Sequence, residues 1–130
     1  MPLPFAINTE SIDGDRYVVA VAGELDLFTV PELKSALRHA LTSGHTRLVV
    51  DLTETSFLDS TAVAVLIGAV RRLQSRDRVL TIANADPHLV KTFETMGLTE
   101  LFTIHPTRHQ AVQALDADYA ASSGAAPRVT

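Results

Sequence analysis

The sequence contains no cysteine. That excludes disulfides, thiolate metal sites, iron–sulfur clusters and a cysteine nucleophile. It has no apolar run approaching the ~20 residues that span a bilayer, so no membrane partner is expected. Residues 1–10 carry no Lys or Arg. The basic head of a signal peptide is therefore missing, and the cytoplasm is the expected compartment. Positive charge is scarce: 11 Lys+Arg stand against 15 Asp+Glu, a net −4 at pH 7. A basic face for a phosphate backbone is thus not expected, nor is a direct nucleic-acid partner. The short cluster Arg71, Arg72, Arg76 and Arg78 reads as an exposed helix end. There is no Gly-rich phosphate loop, no Gly-x-Ser-x-Gly elbow and no His-Glu-x-x-His. Of the five histidines (His39, His45, His88, His105 and His109), the last two lie four apart and could share a helix face. No third ligand accompanies them. The expectation is a protein that is not an enzyme, with no catalytic residues, no cofactor and no metal.

What is present is enough for one buried core. The chain has 130 residues, 46% hydrophobic and 20% charged, the balance of a single globular domain. Residues 119–130, mostly Ala, Ser and Gly, read as a flexible tail, and the first few as a loose lead-in. The domain is expected to span residues 5–118.

Between these ends strand and helix patterns alternate. Tyr17-Val18-Val19-Ala20-Val21-Ala22 is a β-branched run closed by Gly23. Thr29-x-x-Glu32 fits a capping box, Pro31 suits the first turn, and an apolar stripe runs from Val30 through Leu41 toward Gly44. Leu48-Val49-Val50-Asp51-Leu52 suits a strand covered on both faces. A helix then follows Asp59. Val79-Leu80-Thr81-Ile82-Ala83 is a third strand, and Asp86-Pro87 opens a helix carrying Leu89, Val90, Phe93 and Met96 and ending at Gly97. Phe102-Thr103-Ile104 reads as a short strand, and Thr107-x-x-Gln110 as the cap of a last helix. An edge strand from Ile7 to Ile12 would join through Asp13-Gly14-Asp15. The predicted fold class is α/β: a single domain with a mixed, mainly parallel sheet of four to five strands flanked by about four helices.

Two stretches are chemically suggestive. In Phe57-Leu58-Asp59-Ser60-Thr61-Ala62, two adjacent hydroxyls fall where a helix begins. Serine and aspartate are favoured N-caps, worth ~1 kcal/mol over alanine, which accounts for them by structure alone. The same position also suits a phosphorylation site, because open N–H groups and the positive dipole end can hold a phosphate. In Gly23-Glu24-Leu25-Asp26, two acids follow a strand. Both stretches belong at the C-terminal edge of a parallel sheet, where open α/β sheets bind ligands.

In the order Gly23-Glu24-Leu25-Asp26, Val49-Val50-Asp51-Leu52, Phe57-Leu58-Asp59-Ser60-Thr61 and Met96-Gly97-Leu98, the chain resembles the STAS domain. It is most similar to the single-domain anti-anti-sigma factors (anti-sigma factor antagonists) of bacteria. The resemblance covers about residues 10–117. It implies partner switching. The unphosphorylated protein would bind an anti-sigma factor that is also a serine kinase and so release the sigma factor. That kinase would phosphorylate Ser60 (Thr61 being the less favoured hydroxyl), and a serine phosphatase would restore binding. Asp26 would support kinase recognition, and Glu24, Asp26, Asp59, Ser60 and Thr61 would form the partner-binding site. The chain departs from the family pattern at Ala62, where glycine is usual, and alanine suits a regular helical turn. The alternative is a STAS sensor or scaffold that binds a small ligand or another regulator without phosphorylation. A monomer is the simple expectation.

Overall fold

The computed structural model describes residues 3–74, 79–100 and 103–122. In chain order the elements are β1 (Ala6–Ser11), β2 (Arg16–Leu25), α1 (Val30–Thr42), β3 (Arg47–Leu58), α2 (Ser60–Gln74), β4 (Val79–Ala83), α3 (Pro87–Thr95), β5 (Thr103–His105) and α4 (Arg108–Ser122). A 3-10 turn at Leu98–Glu100 separates α3 from β5. The five strands form one sheet in the order β1-β2-β3-β4-β5. β1 runs antiparallel to β2, and every other pairing is parallel. This is the mixed, mainly parallel architecture that the strand–helix alternation predicts.

Alternation along the strands sends side chains to two cores. Val19, Val21, Leu48, Val50, Leu52, Leu80 and Ile82 pack beneath α1, α2 and α3, with Phe93 and Leu66 fully buried. On the opposite face Val18, Val49, Val79 and Ala83 meet Ala111 and Leu115 of α4. Burial on both faces is why the Leu48–Leu52 run is almost wholly apolar. The exception is Asp51, whose side chain is 5% exposed and accepts from Arg108 Nε at 2.7 Å. Thr53 donates to the same carboxylate through its N–H and its hydroxyl.

Several local expectations need correction. β3 does not end at Leu52 but continues to Leu58. The polar run Thr53-Glu54-Thr55-Ser56 hides this, yet Thr55 is buried and its hydroxyl donates to Val21 O across an irregular stretch of the β2–β3 ladder. β2 likewise passes through Gly23 and Glu24 to Leu25. Gly23 has φ +84°, and a Cβ there would lie 2.9 Å from Leu3 O and Phe5 Cα. The lead-in therefore crosses that glycine closely, and Phe5 packs against the core. Met96 lies just past α3 and is 47% exposed, not part of its apolar stripe. α4 runs to Ser122, taking in residues 119–122 of the expected tail. Residues 123–130, together with Arg76, Arg78 and Phe102, lie outside the described residues.

The expected hairpin forms, but Gly14 does not take the positive φ of a two-residue Asp-Gly turn, and the Asp13 side chain closes the longer loop instead. Asp13 Oδ1 accepts the N–H groups of Arg16 at 2.8 Å and Asp15 at 2.9 Å, and Oδ2 accepts from Arg16 Nε at 2.8 Å. The Arg16 N–H, then the Asp15 N–H, then the guanidinium hold this carboxyl down at about 2, below the ordinary 3.8. A carboxyl depressed on folding stabilises the fold at pH above the ordinary value. That contribution is lost as pH falls from about 3.8 toward 2. Asp13→Asn is therefore expected to melt lower than the parent at pH 6, with the difference shrinking in this acid window. A difference in melting temperature independent of pH would count against the assignment.

Candidate functional site

The site is built where β2 and β3 end side by side, with Leu25 paired to Leu58 and Glu24 to Phe57. Asp59 fastens the two following loops together. Its Oδ1 accepts from Ala62 N–H at 3.0 Å, capping α2, and its Oδ2 accepts from Leu27 N–H at 3.0 Å. Its own N–H donates to Leu25 O at 3.2 Å. The cap of α2 is thus Asp59, which leaves Ser60 as the first helical residue. Ser60 is exposed, and among the described residues its hydroxyl makes no hydrogen bond. The N–H groups of Ser60 and Thr61 likewise have no acceptor among the described residues, as expected for a first helical turn. Ala62 is fully buried with its methyl in the core.

Asp26 also acts on its own loop. Oδ1 accepts from the N–H groups of Phe28 at 2.9 Å and Thr29 at 3.1 Å, and lies 3.2 Å from the Thr29 hydroxyl. Asp26 O accepts from Val30 N–H at 2.8 Å. These bonds replace the expected capping box. Thr29 makes no side-chain cap bond, and its hydroxyl instead donates to Glu24 O at 2.9 Å and accepts from Asp26 N–H. Asp26 takes the Thr29 N–H that Glu32 would have accepted, and the Glu32 N–H donates to Thr29 O at 3.1 Å.

Of the five expected binding residues, Glu24 and Ser60 are exposed, while Asp26, Asp59 and Thr61 are half-buried. The structure brings the loops bearing all of them together. Residue-by-residue reading missed the apolar rim. Phe28 is 87% exposed, Leu27 60% and Phe57 48%. Leu27 and Phe28 stand out of the Asp26 turn, and Phe57 is on the last strand residues before Ser60. Exposed large apolar side chains grouped on one loop pair mark an interaction surface. Their sequence signal was available: Leu27-Phe28 and Phe57 have no place in either helix stripe. His105 and His109 do not share a helix face. His105 ends β5 with a buried Nε2, whereas His109 is exposed on α4. Among the described residues no helix is long and apolar enough to cross a membrane.

An open, mainly parallel sheet with helices on both faces and capped loops at its edge defines a small mixed α/β domain. The family profile described as "Mlab, STAS domain" matches residues 8–104, and the chain belongs to that STAS-domain family. An anti-sigma-B factor antagonist of Listeria monocytogenes is 34% identical over 99 residues, covering 76% of this chain and 87% of that protein. The crystal structure of an anti-sigma factor antagonist from Mycobacterium paratuberculosis has a TM-score of 0.81 and 26% identity, covering 89% of this chain and 99% of that one. The Bacillus cell fate determinant SpoIIAA in its phosphorylated form has a TM-score of 0.67 and 25% identity, covering 83% and 97% respectively.

Proposed function

We propose that this chain is an anti-sigma factor antagonist switched by phosphorylation of Ser60. In the unphosphorylated form the loop pair binds an anti-sigma factor that is also a serine kinase, and the sigma factor is released. Phosphate on Ser60 ends that binding, and a serine phosphatase restores it. The observation that carries this reading is the Ser60 hydroxyl, exposed and unpartnered at the opening of α2, beside Leu27, Phe28 and Phe57. The anti-sigma factor antagonists among its relatives support the partner class.

The chemistry asks little of this chain. A phosphoryl acceptor supplies only a hydroxyl, since the kinase brings the nucleotide, the metal and the base. The fold tolerates the product because the open N–H groups and positive dipole end of α2 favour an anion there. Asp59 and Asp26 act as positioning residues that set the loop shape presented to the kinase. Leu27, Phe28 and Phe57 supply apolar contact area, which is where interface energy concentrates. The whole cycle takes place in the cytoplasm, without nucleic acid or membrane.

The test is incubation with the anti-sigma factor kinase of the same organism and ATP, followed by mapping of the phosphate by mass spectrometry. Phosphate is expected on Ser60. Ser60→Ala is expected to stay unlabelled while binding the kinase as the parent does. Phosphate on Thr61 would move the switch to the neighbouring hydroxyl. No phosphate at all would leave the sensor or scaffold reading in its place.

A further inference from the structure

A trough of about 320 Å³ lies between α1 and α2, on the helix pair that carries Ser60. Its floor is apolar, formed by Leu37 and Leu41 of α1 and Ala64 and Val65 of α2. One end reaches Thr61, the neighbour of Ser60. At its centre is Gly68. That residue sits in the interior of a regular helix, without the positive φ that would call for glycine. A Cβ there would meet nothing within 4 Å. Glycine in a helix interior is destabilising relative to alanine, and neither the backbone nor the packing of the described residues requires it here. The space above Gly68 is open.

The rim indicates what that is. Lys34 and Arg38, one turn apart on α1, stand on one bank, and Arg72 of α2 on the other. Among the described residues no acid lines the trough, although the chain as a whole carries −4. Among the described residues Lys34 and Arg38 enter no salt bridge. The trough is open along one side, so a small ligand would leave much of its surface in water, unlike the deeply buried occupants of ligand pockets. An elongated apolar furrow with charged banks matches helix-in-groove recognition instead.

We propose that this trough receives an acidic amphipathic helix of the anti-sigma factor, whose apolar ridge lies over Gly68 and whose carboxylates face Lys34, Arg38 and Arg72. The inference rests on the proposed function above. It adds a second contact area continuous with Ser60, which would hold the kinase in register on the loop it modifies.

The test is titration calorimetry with the anti-sigma factor kinase of the same organism. Gly68→Leu fills the trough, and Lys34→Glu/Arg38→Glu reverses one bank. Each is expected to raise Kd at least tenfold while the thermal melt stays at or above that of the parent. The loss in the charge variant should shrink between 0.05 and 0.5 M salt, and the loss in Gly68→Leu should not. Should Gly68→Leu fold poorly, the charge variant, altered only at exposed positions, gives the answer alone. Parent-like binding by either well-folded variant, with Ser60→Asp still weakened, overturns the trough and leaves the proposed function standing. Failure of the parent itself to bind the kinase overturns both.

Discussion

Ser60→Asp is expected to weaken binding of the anti-sigma factor by about 2 kcal/mol, roughly thirtyfold. The phosphorylated protein should lose a hundredfold or more, about 2.7 kcal/mol. The difference follows from charge, since aspartate adds one negative charge and phosphoserine about 1.5 to 2. The added charge would enter the loop pair that also carries the exposed Leu27, Phe28 and Phe57, next to Asp59 in the chain. An unpaired or like charge buried in an interface costs several kcal/mol. The fold itself should not suffer. An acid in the first turn of α2 interacts favourably with the helix dipole by ~0.3–1 kcal/mol, so the variant should melt no lower than the parent. Ser60→Asn separates charge from shape, being of similar size to aspartate but neutral, and should bind within about threefold of the parent. Equal loss in the Asn and Asp variants would show that steric fit, not charge, controls ejection. Calorimetry with the same kinase reads all three.

The place of the hydroxyl pair at the start of α2 could be read from sequence, while the construction around it could not. A hydroxyl pair after an apolar run and an aspartate is a local pattern, and local patterns survive in one dimension. So do Asp86-Pro87, which caps α3 with Asp86 accepting from His88 N–H, and Thr107-x-x-Gln110, where Gln110 N–H donates to the Thr107 hydroxyl. What was illegible depends on residues far apart. The bond from Leu27 N–H to Asp59 joins positions 32 apart, and the bond from Thr55 to Val21 that carries β3 through its polar stretch joins positions 34 apart. The Thr29 cap failed for a related reason. The Thr29 hydroxyl is turned to Glu24 O and its N–H is held by Asp26, an arrangement that depends on how the chain leaves β2 at Leu25. Leu27 and Phe28 belong to no strand or helix pattern, and only their exposure among the described residues marks them.

Arg108→Leu is expected to lower stability by about 2–3 kcal/mol, a fall in melting temperature on the order of 10 °C. Arg108 is the first residue of α4, and its guanidinium reaches across 57 positions to the buried carboxylate of Asp51. Removing one partner of a fully buried pair costs ~3–5 kcal/mol, because the remaining charge has no counterion. The loss here should be smaller for two reasons. Arg108 is 43% exposed, and Thr53 still donates twice to Asp51. Adding Asp51→Asn to Arg108→Leu is expected to recover about half the loss, since an amide oxygen can keep accepting from Thr53 without a buried charge. Glu10 also touches Arg108, at 3.2 Å, but both side chains are well exposed. Glu10→Gln should therefore stay within ~0.5 kcal/mol of the parent. Chemical denaturation of these three variants beside the parent reads each difference. If Arg108→Leu unfolds with the parent's midpoint, Asp51 is held by Thr53 alone, and the seating of α4 on β3 and β4 falls to the contacts of Ala111 and Leu115 with Val18, Val49, Val79 and Ala83. The anti-sigma factor should bind Arg108→Leu as tightly as the parent below its melting temperature, because α4 packs on the sheet face opposite α1 and α2, which flank Ser60.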